Sequence, residues 1–267
     1  MRCLTQVVII CLFPCIMAAQ PHNPKFTVRV EHFSALREVL KAGDSVYAFC
    51  IRTGDESGAQ KGKNLSEPVW NEGKFSKSIE MLNEVKFAGI EKAVIFSSVE
   101  DLKNNIKRLP KEVSWVMYDS ERGMTPSNEL KDLEKSVRDF GETAHKNGLL
   151  AGWGPTMVMI KSDEIKLLKL AVYIDRFGLQ HQKLLQLEGF DAFVSETKRR
   201  ASIIKTNNPK CSVTVQVVLG RSSVEESVKA LIAVKEEADM FSIWTMQDTE
   251  GAVKAISLIR GKAGNNK

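Results

Sequence analysis

Ser114–Thr125, SWVMYDSERGMT, is an apolar strand that runs out into acid. By the period-two rule Trp115, Met117, Asp119 and Glu121 share one face, and Val116, Tyr118 and Ser120 the other. The first face turns from apolar to carboxylate in its last two positions. Buried carboxylates are costly unless paired or used. Either Asp119 and Glu121 are loop residues that cap the helix after Pro126, or they form an acid pair at the mouth of a barrel.

The flanking pattern supports a barrel. Upstream, Phe26–Val30 (FTVRV) alternates as a strand, and Ser34–Leu40 is a short helix with Ser34 as N-cap and Gly43 beyond its end. Val46–Ile51 (VYAFCI) is an apolar strand, followed by a long polar loop, Arg52–Gly73, of the kind that is usually functional. Phe75–Ala88 is helical, Ala93–Ser97 a strand, and Val99–Arg108 a helix stopped by Pro110. Downstream, Asn128–Lys146 is a long amphipathic helix closed by Gly148, and Leu149–Trp153 a strand. Asp163–Leu170 is a helix, Val172–Gln182 contains a strand, and Gly189–Asn207 is a helix ended by Asn208-Pro209. Ser212–Leu219 and Met240–Thr245 are strands, each followed by a helix, Val224–Glu237 and Glu250–Arg260.

That makes eight strands, each followed by a helix. Short β-branched runs alternating with helices imply parallel pairing through crossovers. Eight such units in 267 residues match an α/β fold of the (β/α)₈ TIM-barrel type. An open doubly wound sheet is the competitor, but the chain has neither GxGxxG nor GxxxxGK[ST], so nucleotide cofactors lack support.

Composition fits one large domain. Hydrophobic content is 43% and charged content 27%. The net charge of +5 comes from 38 basic and 33 acidic residues that are interspersed, with no basic block to suggest nucleic acid. Residues 1–19 stand apart. Arg2 precedes the apolar run Val7–Met17, and Ala18-Ala19 offers small residues for cleavage, which is the pattern of a secretory signal peptide. A lipoprotein signal at Cys15 fits less well, because Pro14 sits where a small residue is wanted. Residues 20–267 are then a single secreted or extracytoplasmic barrel domain, expected to act as a monomer and to have no membrane attachment after cleavage. Three of the five cysteines (Cys3, Cys11, Cys15) leave with the leader. Cys50 and Cys211 make no disulfide framework and are expected as buried apolar filler.

In a (β/α)₈ barrel chemistry gathers at the C-terminal ends of the strands. There the sequence places Arg52, Asp119, Glu121, Trp153, Gln180, Gln182, Gln216 and Trp244. Each has a plain alternative: Trp244 as core, Gln216 as a satisfied core amide, Gln180 and Gln182 as loop polars, Arg52 as a solvated charge. Together, carboxylates, amides and aromatic rings are a sugar-binding set. Rings stack on pyranose faces, amides read hydroxyls, and a carboxylic acid protonates a glycosidic oxygen. Glu121 is expected to have a raised pKa, from Met117 and the mouth tryptophans and from repulsion by Asp119. Asp175 and Glu31 are reserve carboxylates.

A metal site has no motif: the four histidines are His22, His32, His145 and His181, with no HExxH or HxH. A serine nucleophile lacks its GxSxG elbow. Gly220-Arg221-Ser222-Ser223 opens a helix and could grip phosphate, as in a phosphate-ester enzyme using Arg221. Its alternative is a capping box, Ser222 or Ser223 with Glu225 or Glu226.

Asp119-x-Glu121 ending strand four, with Trp244 ending strand eight, resembles the chitinase-like glycoside hydrolases, whose strand-four motif is D-x-x-D-x-D-x-E. The resemblance implies Glu121 as general acid, Asp119 as its helper and Trp244 as the floor of the sugar site. Ser114 and Met117 stand where that motif has its first two aspartates. YDSERGMTPSNEL, AHKNGLLAGWGPT and LQHQ also look like secreted glycoside-hydrolase-like barrels, a likeness that brings no reaction with it. A barrel that binds carbohydrate without cleaving it is the second reading.

Overall fold

The computed structural model describes residues 24–52, 67–220, 222–245 and 248–264. Eight parallel strands close into a barrel in chain order: β1 (Lys25–Arg29), β2 (Ser45–Cys50), β3 (Glu91–Phe96), β4 (Val113–Tyr118), β5 (Leu150–Trp153), β6 (Arg176–Leu179), β7 (Ser212–Val218) and β8 (Met240–Trp244). Closure is made by β1, in which Thr27 registers with Ser45 on β2 and with Ser242 on β8. The (β/α)₈ expectation holds. The helices are α1 (Phe33–Leu36), α2 (Glu72–Glu84), α3 (Val99–Asn105), α4 (Ser127–Lys131), α5 (Leu133–Lys146), α6 (Met157–Ser162), α7 (Glu164–Lys169), α8 (Gln182–Asn207), α9 (Val224–Ala233) and α10 (Thr249–Gly264). Among the described residues no helix is long and apolar enough to cross a membrane.

Strand alternation sorts the apolar residues into two layers. Val46, Val94, Val116, Tyr118, Trp153 and Phe177 face outward and pack with the helices in one continuous core. Tyr47, Ala93, Ile95 and Trp115 face inward and form a separate cluster with Phe49 and Met117. On the inner side β5 and β6 present glycine. A Cβ at Gly154 or Gly178 would overlap Met117 Cε, so the Met117 side chain takes the volume that these residues leave.

Several elements differ from expectation. Helix α1 covers Phe33–Leu36, so Ser34 lies inside it and not at its N-cap. The helix expected over Asn128–Lys146 breaks at Asp132, whose non-helical backbone lets its carboxylate cap α5 through Lys135 N at 3.2 Å. Residues 157–162, to which the sequence pattern gives no element, form α6, capped by Thr156 through Met159 N. The helix expected from Gly189 begins at Gln182 and kinks at Gly189, which has φ 85°. The proposed leader, His22 and most of the long loop after β2 (53–66) lie outside the described residues.

Candidate active site

Strand β4 aims its inward face along the barrel axis. Trp115, Met117, Asp119 and Glu121 all line one cavity of about 300 Å³, open at the C-terminal ends of the strands. Beyond Tyr118 the chain turns, and the turn holds the acid pair in place. Thr125 Oγ1 accepts from Glu121 N at 3.0 Å and donates to the Asp119 carbonyl at 3.2 Å. The helix-capping alternative falls: Pro126 occupies the N-cap of α4, and no side chain caps it.

Asp119 is the buried member of the pair, 7% exposed. Its Oδ1 accepts from Gln180 Nε2 at 3.0 Å, and the same amide donates to the Gly154 carbonyl at 2.9 Å. One side chain from β6 thus ties together the ends of β4, β5 and β6. Burial, with the Glu121 charge second, raises the Asp119 carboxyl from 3.8 to about 7, against the Gln180 hydrogen bond. Glu121 is also raised by burial, while nearby Lys183 pulls the other way. The expected rise at Glu121 is present, but the large shift is on Asp119. The deeper carboxyl loses more hydration, and the cost of the second charge falls on it.

Around the acids the cavity is aromatic and amide-lined. Tyr47 and Phe49 come from β2, Trp244 from the end of β8 and Gln216 from β7. Gln216 Nε2 donates to Ser242 Oγ at 3.3 Å. Arg29 also lines it, paired with Glu31 at 2.8 Å and lying 5.3 Å over the Phe49 ring.

Asp119, Glu121, Gln180, Gln216 and Trp244 therefore meet at one cavity, and three candidates do not. Trp153 is fully buried among the helices, its Nε1 donating to Ser120 Oγ at 2.9 Å and its ring edge-on to Phe177. The reason is phase: Gly152 and Gly154 take the inward positions of β5, so the residue between them faces out. Arg52 grips Asp101 through Nε at 2.7 Å and Nη2 at 2.8 Å, and also pairs with Glu100, fastening the end of β2 to the start of α3. Gln182 is the first residue of α8 and is not among the cavity's lining residues, because the chain leaves the strand at Leu179 and period two stops there. Of the reserve carboxylates, Asp175 accepts from Ala151 N and faces His145 at 2.7 Å at the opposite end of the barrel. Glu31 serves Arg29.

Sequence reasoning missed Arg29, Tyr47, Phe49, Thr27 and Arg176. For the first four the signal was available: in FTVRV and VYAFCI the alternate residues are the inward set, whereas Arg176 opens β6. His181 is not a site residue. It is buried between Thr197 and Arg200, and burial with the Arg200 charge pushes it down to about 3. The Ser223–Glu226 capping box is present at the start of α9, and Arg221 lies outside the described residues. Cys50 and Cys211 are free and buried, and burial pushes both thiols up to about 12. Among the described residues no group of three or more His, Cys, Asp or Glu is placed to hold a metal.

No protein-family model matches the chain, and no curated protein does. Solved structures do. The catalytic domain of a family GH18 chitinase from the fern Peteris ryukyuensis matches at a TM-score of 0.58 and 12% identity, over 89% of this chain and 98% of that one. A GH18 chitinase from Pseudoalteromonas aurantia matches at 0.57 and 11%, over 88% and 100%. A 2,3-dimethylmalate lyase of the PEP mutase/isocitrate lyase superfamily matches at 0.51 and 12%, over 92% and 84%. At such identities the likeness establishes the barrel and leaves the reaction to the site itself.

Proposed function

We propose that the protein is a glycoside-hydrolase-like barrel that acts on a glycan by general acid catalysis. The observation that carries this reading is Asp119: a buried carboxyl held near pH 7, directly below the more exposed Glu121, in an aromatic-walled cavity at the catalytic end of a TIM barrel. A carboxylic acid that keeps its proton at neutral pH can deliver it to a leaving oxygen. Glu121, at the mouth, makes the delivery, and Asp119 stores the proton and sets the pair's titration. Trp244 and Tyr47 offer ring faces, and Gln180 and Gln216 offer amides for hydroxyls. The GH18 chitinases among the structural neighbours share the barrel with this chain.

The test is a screen of 4-nitrophenyl glycosides followed by kinetics on the one cleaved. Glu121→Gln is expected to keep binding and to lower kcat by at least about a hundredfold, the low end for loss of general acid catalysis. Wild-type turnover in that variant would remove Glu121 from its role. A second reading, carbohydrate binding without cleavage, is favoured by one fact. Among the described residues, Asp119 and Glu121 are the only carboxylates lining the cavity, whereas glycosidases place two across the scissile bond. Binding of sugars with no turnover of any glycoside selects it. Residues 1–19 are proposed to be a cleaved leader that exports the barrel as a monomer. Mass spectrometry of the native protein is then expected to find an N-terminus near Gln20, and an intact Met1 on cytoplasmic protein would overturn export.

A further inference from the structure

The inner end of the cavity carries hydrogen-bonding atoms that the acid pair does not use. Trp115 is 3% exposed and Thr27 4%, and both line the cavity. Neither Trp115 Nε1 nor Thr27 Oγ1 has a partner among the described residues. Buried polar atoms are nearly always hydrogen-bonded. An indole N–H can only donate, and a hydroxyl can do either, so Trp115 Nε1 lacks an acceptor and Thr27 Oγ1 a partner of either kind.

That end of the cavity is also crossed by a side chain. Arg176, the first residue of β6, reaches toward the opposite side of the barrel and pairs with Glu91 on β3 at 2.5 Å. Its guanidinium lies 4.6 Å over the Trp115 ring, and its Nη1 meets Met240 Sδ on β8 at 3.4 Å. Met240 is itself 3% exposed. The arginine charge is thus matched by Glu91, which leaves a floor suited to a neutral group. A cavity of about 300 Å³ is at the small end of ligand pockets. With a mouth and a floor it admits the end of a chain and has no exit for its middle.

We infer that the barrel takes the terminal residue of a neutral glycan end-on, with one oxygen at that residue's leading edge accepting from Trp115 Nε1 and another meeting Thr27 Oγ1. This rests on the carbohydrate reading above and adds the mode of attack. The glycosidic bond then lies at the mouth, beside Asp119 and Glu121. Cleavage releases one sugar per event, with water giving its hydroxyl to the freed sugar and its remaining proton to the shortened chain.

The test uses the full chain and the methyl glycosides of glucose, galactose, mannose, xylose and fucose, screened by saturation-transfer NMR. The sugar that binds is followed up with its monodeoxy derivatives, against wild type, Trp115→Phe and Thr27→Val. Trp115→Phe keeps a ring and loses the N–H. One deoxy position is expected to weaken wild-type binding about fivefold, the scale of one neutral hydrogen bond, and to have no effect in Trp115→Phe, which is already about fivefold weaker. Thr27→Val carries the same comparison should Trp115→Phe lose its thermal transition. If a sugar binds and both variants bind every derivative as wild type does, the end-on mode is wrong and the carbohydrate reading stands. Equal affinity for an oligosaccharide capped at both ends would likewise overturn the end-on mode alone. If none of the five sugars binds, the end-on mode for a neutral sugar is overturned, and the glycoside screen above decides the carbohydrate reading.

Discussion

Asp119 follows two inward residues, Trp115 and Met117, that could not solvate a charge, and among the described residues its carboxyl accepts a hydrogen bond from Gln180 alone. Unfolded, it titrates near the ordinary 3.8; folded, near 7. The folded state therefore binds the extra proton between those values, and stability falls as pH rises through that window. The size is on the order of 1.4 kcal/mol per pH unit crossed. Asp119→Asn removes the charge and keeps an acceptor for Gln180. It is expected to match wild type in Tm at pH 4 and to exceed it by several degrees at pH 8, on a scale of about 2–4 °C per kcal/mol for a chain this size. Equal Tm at pH 8 would show that Asp119 is not held neutral. At this scale the sequence was readable wherever period two continued: it brought Asp119, Glu121 and Gln180 to one side. It failed at Trp153, because nothing in LLAGW marks which residues face in, and at Gln182, where the strand had already ended.

Helix α5 shows what tertiary packing adds to local preference. Gly141 lies in its interior, where alanine would be favoured by about 1 kcal/mol. Yet a Cβ there would overlap the backbone carbonyl of Tyr173, in the turn that precedes β6. A carbonyl in a packed turn cannot step aside as a flexible side chain can. Gly141→Ala is expected to destabilise the protein by about 2 kcal/mol or more in urea titration, and a gain in stability would contradict the packing. The break before α5 has a similar origin. Glu129 on α4 turns inward, where it accepts from Ser98 Oγ at 2.8 Å, from Val99 N at 3.0 Å and from Tyr118 Oη at 3.0 Å. Amphipathic spacing could not show this, since those partners belong to strand ends and helix starts elsewhere in the chain.

Over the whole molecule, the count of eight units was legible, and the seam that closes them was not. Arg260 on α10 holds Asp44 through Nη2 at 2.6 and 2.7 Å, across 216 positions, and also donates to the Val39 carbonyl. Asp44 in turn accepts from Phe26 N and Lys41 N, so the last helix is bolted to the first two strands. Asp44 is 1% exposed. Removing one partner of a buried pair strands the other charge, at a cost of about 3–5 kcal/mol. Arg260→Ala is expected to lower the urea midpoint accordingly, without change in cavity ligands. A shift under about 1 kcal/mol would mean that the seam is held by apolar contacts alone.

The placement of the indoles has an optical consequence. Of the four tryptophans, Trp115 and Trp244 line the cavity, while Trp153 is sealed under the helices and Trp70 stacks on Phe75 and Phe96. Two fluorophores thus face any occupant and two lie away from it. A change in emission on adding a cavity ligand reports occupancy directly from the unlabelled chain.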